Sequence, residues 1–417
     1  MRSVLSAFKR LRYHILVFLA VLGPGFITAN VDNDAGGIFT YSQAGARWGY
    51  LPLWTLLPIG VLLVVTQEMS SRMGAVTGKG LSDLIREEFG LRVTFLVMAA
   101  LVLANLANVF AEFAGIASAL EPLGVSRYVS VPIAAVAVWL LVVRGDYSSV
   151  EKVFLAACMV YVTYIFSGIL VRPDWKEAAI SSVRPALILD PGYITMLIGM
   201  VGTSVAPWMQ FYLQAAVVEK GITAEEYSKS RIEVVVGCIF MVVIAFFIVV
   251  SCAGAIHSVA PRDIKDSADA ALGLKPFGHW AYLLFTIGLL NASFFGACIL
   301  PLSTAYTVCE GLGFESGVNL RFREAPLFYW LYTLLIAFGA GAVLLPGFSL
   351  VRMILASQVM NGILLPFVLF FILRLVNKRR IMKDWVNPPV YNLIAWGSVV
   401  ILVGLAIALV VVSLPGA

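Results

Sequence analysis

Charge is what this chain has least of. Asp, Glu, Lys and Arg make up 13% of its 417 residues, against roughly 25% in soluble domains. That shortage excludes an ordinary water-soluble fold. Histidine is scarcer still: His14, His257 and His279 are the only ones, and none lies well inside an apolar run. HExxH and GxSxG are both missing, so the common zinc-hydrolase and serine-hydrolase sites are excluded and no enzyme is expected. The five cysteines (Cys158, Cys238, Cys252, Cys298, Cys309) are scattered in apolar or span-end positions without a CxxC pair. They read as small core residues, not as a disulfide framework or a metal cluster. A basic stripe with interleaved aromatics is also absent, so the net charge of +5 does not point to nucleic acid.

Apolar residues are abundant, at 60%, and the mean hydropathy is +0.93. Apolar runs long enough to cross a bilayer are expected near 14–44, 50–71, 93–118, 127–143, 152–171, 190–217, 232–256, 279–308, 326–345, 348–374 and 390–414. The expectation is an all-α polytopic membrane protein of eleven transmembrane helices forming one domain over 1–417. Pro346-Gly347 is the turn signal that separates the ninth span from the tenth. The first run is too long, and too polar in its middle, to read as a signal peptide. With the N-terminus placed in the cytoplasm, 20 of the 29 basic residues fall on that side. They include Lys9, Arg10 and Arg12, then Arg72, Lys79, Arg86 and Arg92, then Arg374, Lys378, Arg379, Arg380 and Lys383. An odd number of spans puts the C-terminus outside. The short loops suit an integral protein of a bacterial plasma membrane.

The first run contains Gly23-Pro24-Gly25-Phe26-Ile27-Thr28-Ala29-Asn30-Val31-Asp32-Asn33-Asp34-Ala35-Gly36-Gly37. A charge at the bilayer centre costs roughly 3 kcal/mol on insertion scales. Backbone that leaves the helix at that depth must line a cavity or be buried in protein. A helix broken in mid-membrane to hold a cation accounts for the pattern. A second interruption, Gly202-Thr203-Ser204-Val205-Ala206-Pro207-Trp208-Met209-Gln210, lies in the sixth run, where the proline removes a helical hydrogen bond. The two breaks are five spans apart, so their helices enter from opposite sides. That is the plan of an inverted five-plus-five repeat with broken helices 1 and 6, the LeuT-like arrangement. Residues 14–171 would form the first repeat, 190–374 the second, and 390–414 an additional span. Tyr41-Ser42-Gln43-Ala44 after the first break is echoed by Tyr212-Leu213-Gln214-Ala215 after the second.

The run from Gly23 to Tyr50, including Gln43-Ala44-Gly45-Ala46 and Trp48-Gly49-Tyr50, resembles the first-helix region of the Nramp divalent-metal transporters. Ala75-Val76-Thr77-Gly78-Lys79, Pro173-Asp174-Trp175 and Ser357-Gln358-Val359 add to the likeness, which covers spans one to ten. The family's Asp-Pro-Gly-Asn becomes Asp34-Ala35-Gly36-Gly37, which keeps the aspartate and loses the asparagine ligand. Its Met-Pro-His becomes Ala206-Pro207-Trp208, which loses the methionine ligand and the histidine associated with proton movement. In the third span, Glu112 matches a family acid, and Val109 replaces an aspartate. Gln358 matches a tenth-span glutamine that can approach the ion. This pattern is similar to the Nramp-related magnesium transporters, which accept larger, hydrated ions.

The chemistry of the residues agrees with that implication. A thioether favours softer metals, and Ala206 offers no side-chain ligand. Mg²⁺ takes an octahedron of oxygens and keeps several waters. The expected ion site is Asp34 with the Val31 and Thr203 carbonyls, Gly37 and Ala206 marking the lost ligands, and Gln358 nearby. Asp32, Asn30, Asn33, Ser204, Gln210, Glu112 and Asn361 are candidates for the cavity or the ion's water shell, and Trp208 for a packing or gate wall. Glu112 is expected to face Asn105 or Asn108 on adjacent turns. Glu68 and His257 are expected to face water near span ends. The function expected is import of Mg²⁺, with Mn²⁺ as a second ion, largely hydrated and without proton coupling. Its partners would be the divalent cation and the lipid bilayer, with no resident cofactor. One alternative is proton-coupled import of Mn²⁺ or Fe²⁺, with Asp32 and Glu112 replacing the lost groups. Another is an organic-substrate symporter on the same scaffold.

Overall fold

The computed structural model describes residues 23–265, 267–345 and 350–413. Lys9, Arg10, Arg12, His14, the start of the first run and the Pro346-Gly347 signal lie outside the described residues. The regular structure among the described residues is helical throughout. The first run forms two half-helices, α1 (Pro24–Val31) and α2 (Ala35–Trp48). There follow α3 (Leu56–Thr77), α4 (Leu81–Phe89), α5 (Leu91–Leu120), α6 (Arg127–Val143), α7 (Tyr147–Val160), α8 (Val162–Val171) and α9 (Trp175–Val183). The sixth run is again two helices, α10 (Pro191–Ser204) and α11 (Pro207–Glu219). The remainder is α12 (Tyr227–Cys252), α13 (Ser267–Gly273), α14 (His279–Leu312), α15 (Pro326–Val343), α16 (Leu350–Val376), α17 (Arg379–Met382) and α18 (Pro389–Ser413).

Among the described residues, nine helices or helix pairs are long and apolar enough to span a membrane, where eleven were expected. Two expected spans fall outside that count for separate reasons. The first is split at Asp32–Asp34 and is described only from residue 23. The fourth, α6, is apolar but only 17 residues long. The short helices α4, α9 and α13 were not anticipated, because a single amphipathic turn or two leaves little periodicity to read.

Contacts between the connections fall into two groups. On one face, Arg72 donates to the Trp385 carbonyl (3.1 Å), Arg86 to the Glu310 carbonyl (3.1 Å), and the Tyr147 N–H to Asn319 (3.1 Å). These contacts join the basic connections. On the opposite face, the Asp174 N–H donates to the Tyr50 hydroxyl (3.1 Å) and the Trp54 indole to the Ala186 carbonyl (3.1 Å). The broken helices occupy the centre: every residue of α1 is buried, and the α10–α11 run is the most enclosed of the nine spans. The last helix, α18, is the least enclosed and carries Leu393, Val400 and Ile401 exposed on its outer face, as suits lipid. Close approach at the centre needs small residues. A side chain at Gly202 on α10 would collide with the Gln358 carbonyl and the Gly362 backbone of α16.

Glu68 departs from expectation. It is buried rather than water-facing, held by Arg72 (3.2 Å) and by the Tyr227 hydroxyl. The chain at Trp385–Asn387 covers the pair, with Arg72 also donating to Asn387 Oδ1 (2.5 Å). His257 is only partly buried, beside Gly49.

Candidate ion site at two helix breaks

The first break is built by capping. α1 ends at Asp32, and the chain turns through Asn33 before Asp34 adopts an extended conformation (φ −70°, ψ −175°) as the N-cap of α2. Asp34 Oδ1 accepts the Gly37 N–H at 2.7 Å, and the Asp34 carbonyl accepts the Ile38 N–H at 2.8 Å. The first N–H groups of a helix lack intrahelical partners and attract negative charge. Glu112 Oε2 accepts another of them, from Ala35, at 3.2 Å. Two carboxylates from different spans thus serve one helix start. Glu112 therefore faces the break, and not Asn105 or Asn108 as expected. Asn105 donates instead to Thr304 Oγ1 (2.9 Å), and Asn108 joins an amide cluster on α16.

Gly37 has a steric role. A Cβ there would run into the Asp32 carbonyl and stand 3.2 Å from Thr203 Oγ1. The absence of a side chain lets the start of α2 pass close to the ends of α1 and α10. Neighbouring Gly36 would likewise push its Cβ into the Gln358 amide.

The second break is apolar. α10 ends at Ser204; Val205 (φ −132°, ψ 54°) and Ala206 (φ −62°, ψ 138°) run to Pro207, the first residue of α11. Proline suits that position, where its missing N–H costs nothing. Ala206 contributes only a buried methyl group. The Ser204 hydroxyl donates to the Met200 carbonyl at 2.6 Å, so the 2.6 Å contact with Tyr41 has the tyrosine as donor. This bond ties α2 to the end of α10. Trp208 is buried, and its carbonyl accepts from Ser303 at 3.1 Å. Gln210 turns towards α3, where its Oε1 accepts from Ser70 at 2.9 Å.

Gln358 and Asn361 meet Asn108 of α5 in a loose amide cluster with contacts of 3.3–3.5 Å. The sequence marks Asn108 only by its i−4 spacing from Glu112. Val31 and Thr203 lie in the last turns of α1 and α10, where helix carbonyls lack intrahelical donors. Several side-chain oxygens around the breaks are buried without a hydrogen-bond partner: both of Asp32, Asn30 Oδ1, Asn33 Oδ1, Thr203 Oγ1 and Glu112 Oε1. The amide nitrogens of Asn30 and Asn33 are engaged, by the Phe26 carbonyl (2.7 Å) and the Met241 carbonyl (3.5 Å). Among the described residues no three His, Cys, Asp or Glu side chains come together as a metal cluster. The donors available to a cation here are mixed carboxylate, amide, hydroxyl and carbonyl oxygens, a set that suits Mg²⁺, Ca²⁺ and Mn²⁺.

The breaks are shut off from solvent on both faces, and Asp34 is 4% exposed. On one face Gln43 near the end of α2 donates to Asp263 (2.5 Å) and accepts from the Ile264 N–H (2.8 Å). Arg262 braces that loop against Asp269 of α13 (2.6 Å). Burial alone would raise the Asp269 carboxyl, but hydrogen bonds from Arg262 and the Lys265 N–H hold it below the usual carboxylate range. On the basic face, Glu219 at the end of α11 accepts from the Tyr306 hydroxyl and the Asn319 N–H (3.0 Å). The next residue, Lys220, pairs with Glu151 of α7 at 2.7 Å.

A divalent metal cation transporter MntH from Burkholderia ambifaria is 27% identical over 414 residues, covering 96% of this chain and 90% of that protein. The crystal structure of the Eremococcus coleocola manganese transporter with an aromatic bis-isothiourea compound superposes with a TM-score of 0.75 at 21% identity, covering 93% of this chain and 85% of that one. Mhp1, a nucleobase-cation-symport-1 family transporter, superposes with a TM-score of 0.59 at 14% identity, covering 94% of this chain and 91% of that one. The structural likenesses establish an all-α, LeuT-like membrane fold. The family model for natural resistance-associated macrophage protein-like (Nramp) proteins matches residues 25–412, so the chain belongs to the Nramp family.

Proposed function

We propose that this protein is a secondary transporter of a hard divalent cation, with Mn²⁺ as its principal ion. The observation that carries this reading is the set of unpartnered oxygens enclosed between two helix breaks. The names of the relatives, divalent metal cation transporters and a manganese transporter, favour Mn²⁺. We read the chain as eleven spans with a cytoplasmic N-terminus, in two inverted halves over 14–171 and 190–374 with 390–414 added. Asp32 and Glu112, the further carboxylates at the first break, are the candidates to carry a proton with the metal. A second reading is import of hydrated Mg²⁺ without a proton. Ala206 and Gly37 favour it, since neither supplies a side-chain ligand and an ion that keeps several of its waters needs fewer of them. Voltage alone would drive it. A divalent cation crossing about 100 mV gains about 4.6 kcal/mol, enough for roughly thousandfold accumulation.

The test is uptake into proteoliposomes that carry a metal-sensitive dye and a pH dye, under an inside-negative potential. Mn²⁺ entry with internal acidification is the expected result. Mg²⁺ entry without a pH change would favour the second reading. Entry of neither ion would overturn divalent-cation transport.

A further inference from the structure

A cleft of about 530 Å³ opens where α12 begins, on the face that carries the basic connections. Glu225, Ser228, Arg231, Ile232 and Val236 line one side of it and Trp385 the other. A second cleft, of about 470 Å³, lies farther along α12, between α3 and α18. Val61, Val65, Ile239, Val242, Val243 and Ile394 line that one. The two meet where Arg231, of the first, donates to the Tyr391 hydroxyl, of the second, at 3.3 Å. Ile232, Ile239 and Val243 stay exposed along the shared stripe of α12. At Gly60 of α3 a Cβ would stand 2.9 Å from Val242, so the floor of the groove depends on that glycine. From Ile232 to Val243 the helix rises about 16 Å, and the hydrocarbon of one leaflet is about 15 Å thick. The polar end carries one charge of each sign. The Arg231 side chain is exposed, and its one hydrogen bond among the described residues goes to a neutral phenol. The side chains of Glu225 and Ser228, also exposed, make none among the described residues. Trp385 and Tyr391 are the aromatic types that sit at headgroup depth. A guanidinium fork matches a phosphate, and a carboxylate matches an ammonium. The groove therefore presents a zwitterionic end followed by one leaflet's length of apolar wall.

We infer that this groove is a binding site for a phosphatidylethanolamine-type phospholipid, its phosphate on Arg231 and Ser228, its ammonium on Glu225, and an acyl chain along α12 between α3 and α18. The site adjoins a buried ion pair. Tyr227 and Trp385, which both line the polar end, also hold Glu68 and Arg72: the Tyr227 hydroxyl donates to Glu68, and the Trp385 carbonyl accepts from Arg72 at 3.1 Å. A lipid seated there covers the outer side of the residues that enclose the pair.

The experiment is native mass spectrometry of the full purified chain after exchange into an equimolar mixture of phosphatidylethanolamine, phosphatidylglycerol and phosphatidylcholine with matched acyl chains. Melting temperature is read with each lipid separately and without lipid. Wild type is expected to retain phosphatidylethanolamine over phosphatidylcholine by about tenfold and to melt higher with it. Arg231→Gln is expected to cut that retention about tenfold. Glu225→Gln is expected to retain lipid but to lose the preference for phosphatidylethanolamine over phosphatidylglycerol. Ile239→Trp fills the apolar groove and is expected to displace the lipid while melting near the wild-type temperature in its absence. Equal retention of the three lipids by wild type, a preference for phosphatidylglycerol or phosphatidylcholine, or wild-type retention in Arg231→Gln would overturn the assignment. So would a dimer seen in place of bound lipid, which would give the groove to a second copy of the chain. If Arg231→Gln does not fold, Ile239→Trp decides, and unchanged retention there overturns it.

Discussion

The two helix breaks do the same geometric job by opposite chemistry. The first is polar: Asp32, Asn33 and Asp34 interrupt the helix, and Asp34 and Glu112 cap its continuation. The second is apolar: Val205 leaves the helix and Ala206 runs extended into Pro207, with no side-chain cap on the new helix. One break is held open by hydrogen bonds to the N–H groups that a helix start leaves unpaired, the other by a residue that has no N–H to offer. The charge of the site is therefore concentrated on α1, α2 and α5. The α10–α11 side contributes carbonyls, the hydroxyls of Thr203 and Ser204, and space. A broken helix does not by itself make a ligand; in this molecule the unpartnered buried oxygens lie mostly at one of two similar interruptions.

That asymmetry can be broken at Gly37. Gly37→Asn would restore the residue expected of the wider family, yet its Cβ has no room against the Asp32 carbonyl. Overpacking of this kind should cost about 2–3 kcal/mol, read as a lower melting temperature, with no gain in Mn²⁺ affinity. A normal melting temperature with tighter binding would show that the polar break is more plastic than its contacts imply. Ala206→Met moves a ligand to the apolar break. A thioether there should raise Cd²⁺ affinity over Mn²⁺ by about tenfold, or about 1.4 kcal/mol, measured by competition in the uptake assay. Glu112→Gln keeps an acceptor for the Ala35 N–H but removes its charge. It should cost about 0.5–1 kcal/mol in stability and leave the apolar break untouched.

The smallest effect concerns the closure over α2. Asp269 has a depressed carboxyl in the folded protein, so its pairing with Arg262 stabilises above the unfolded pKa and is lost as pH falls through the folded one. Below about pH 4 the wild-type melting temperature should approach that of Asp269→Asn. Because Arg262 is 41% exposed, the gap at neutral pH should be under about 1 kcal/mol. A gap that persists at low pH would mean the loop is held by packing instead.

The breaks, the long spans and the buried polar sequence around Asp34 were legible from hydropathy and proline position, because each violates a strong rule about lipid. Partners were less legible. Hydropathy puts Glu112 at mid-span, but its bond to Ala35 depends on how α5 meets α2 in space. Asn108 sits one turn from Glu112 and still belongs to the cluster with Gln358 and Asn361. Glu68 looked like a span-end residue in water because Tyr227 and the 385–387 turn are far from it in sequence. Periodicity reports the face a side chain occupies; which helix covers that face is a long-range fact.

The end of α11 bears on speed rather than affinity. Glu219 and Lys220 are consecutive, yet one grips Tyr306 and Asn319 while the other grips Glu151. A motion that frees the end of α11 must give up both grips. Their loss would weigh on the activation enthalpy of turnover while leaving the ion's equilibrium binding alone. A worker who loosens either contact should see the temperature dependence of transport flatten at unchanged half-saturation.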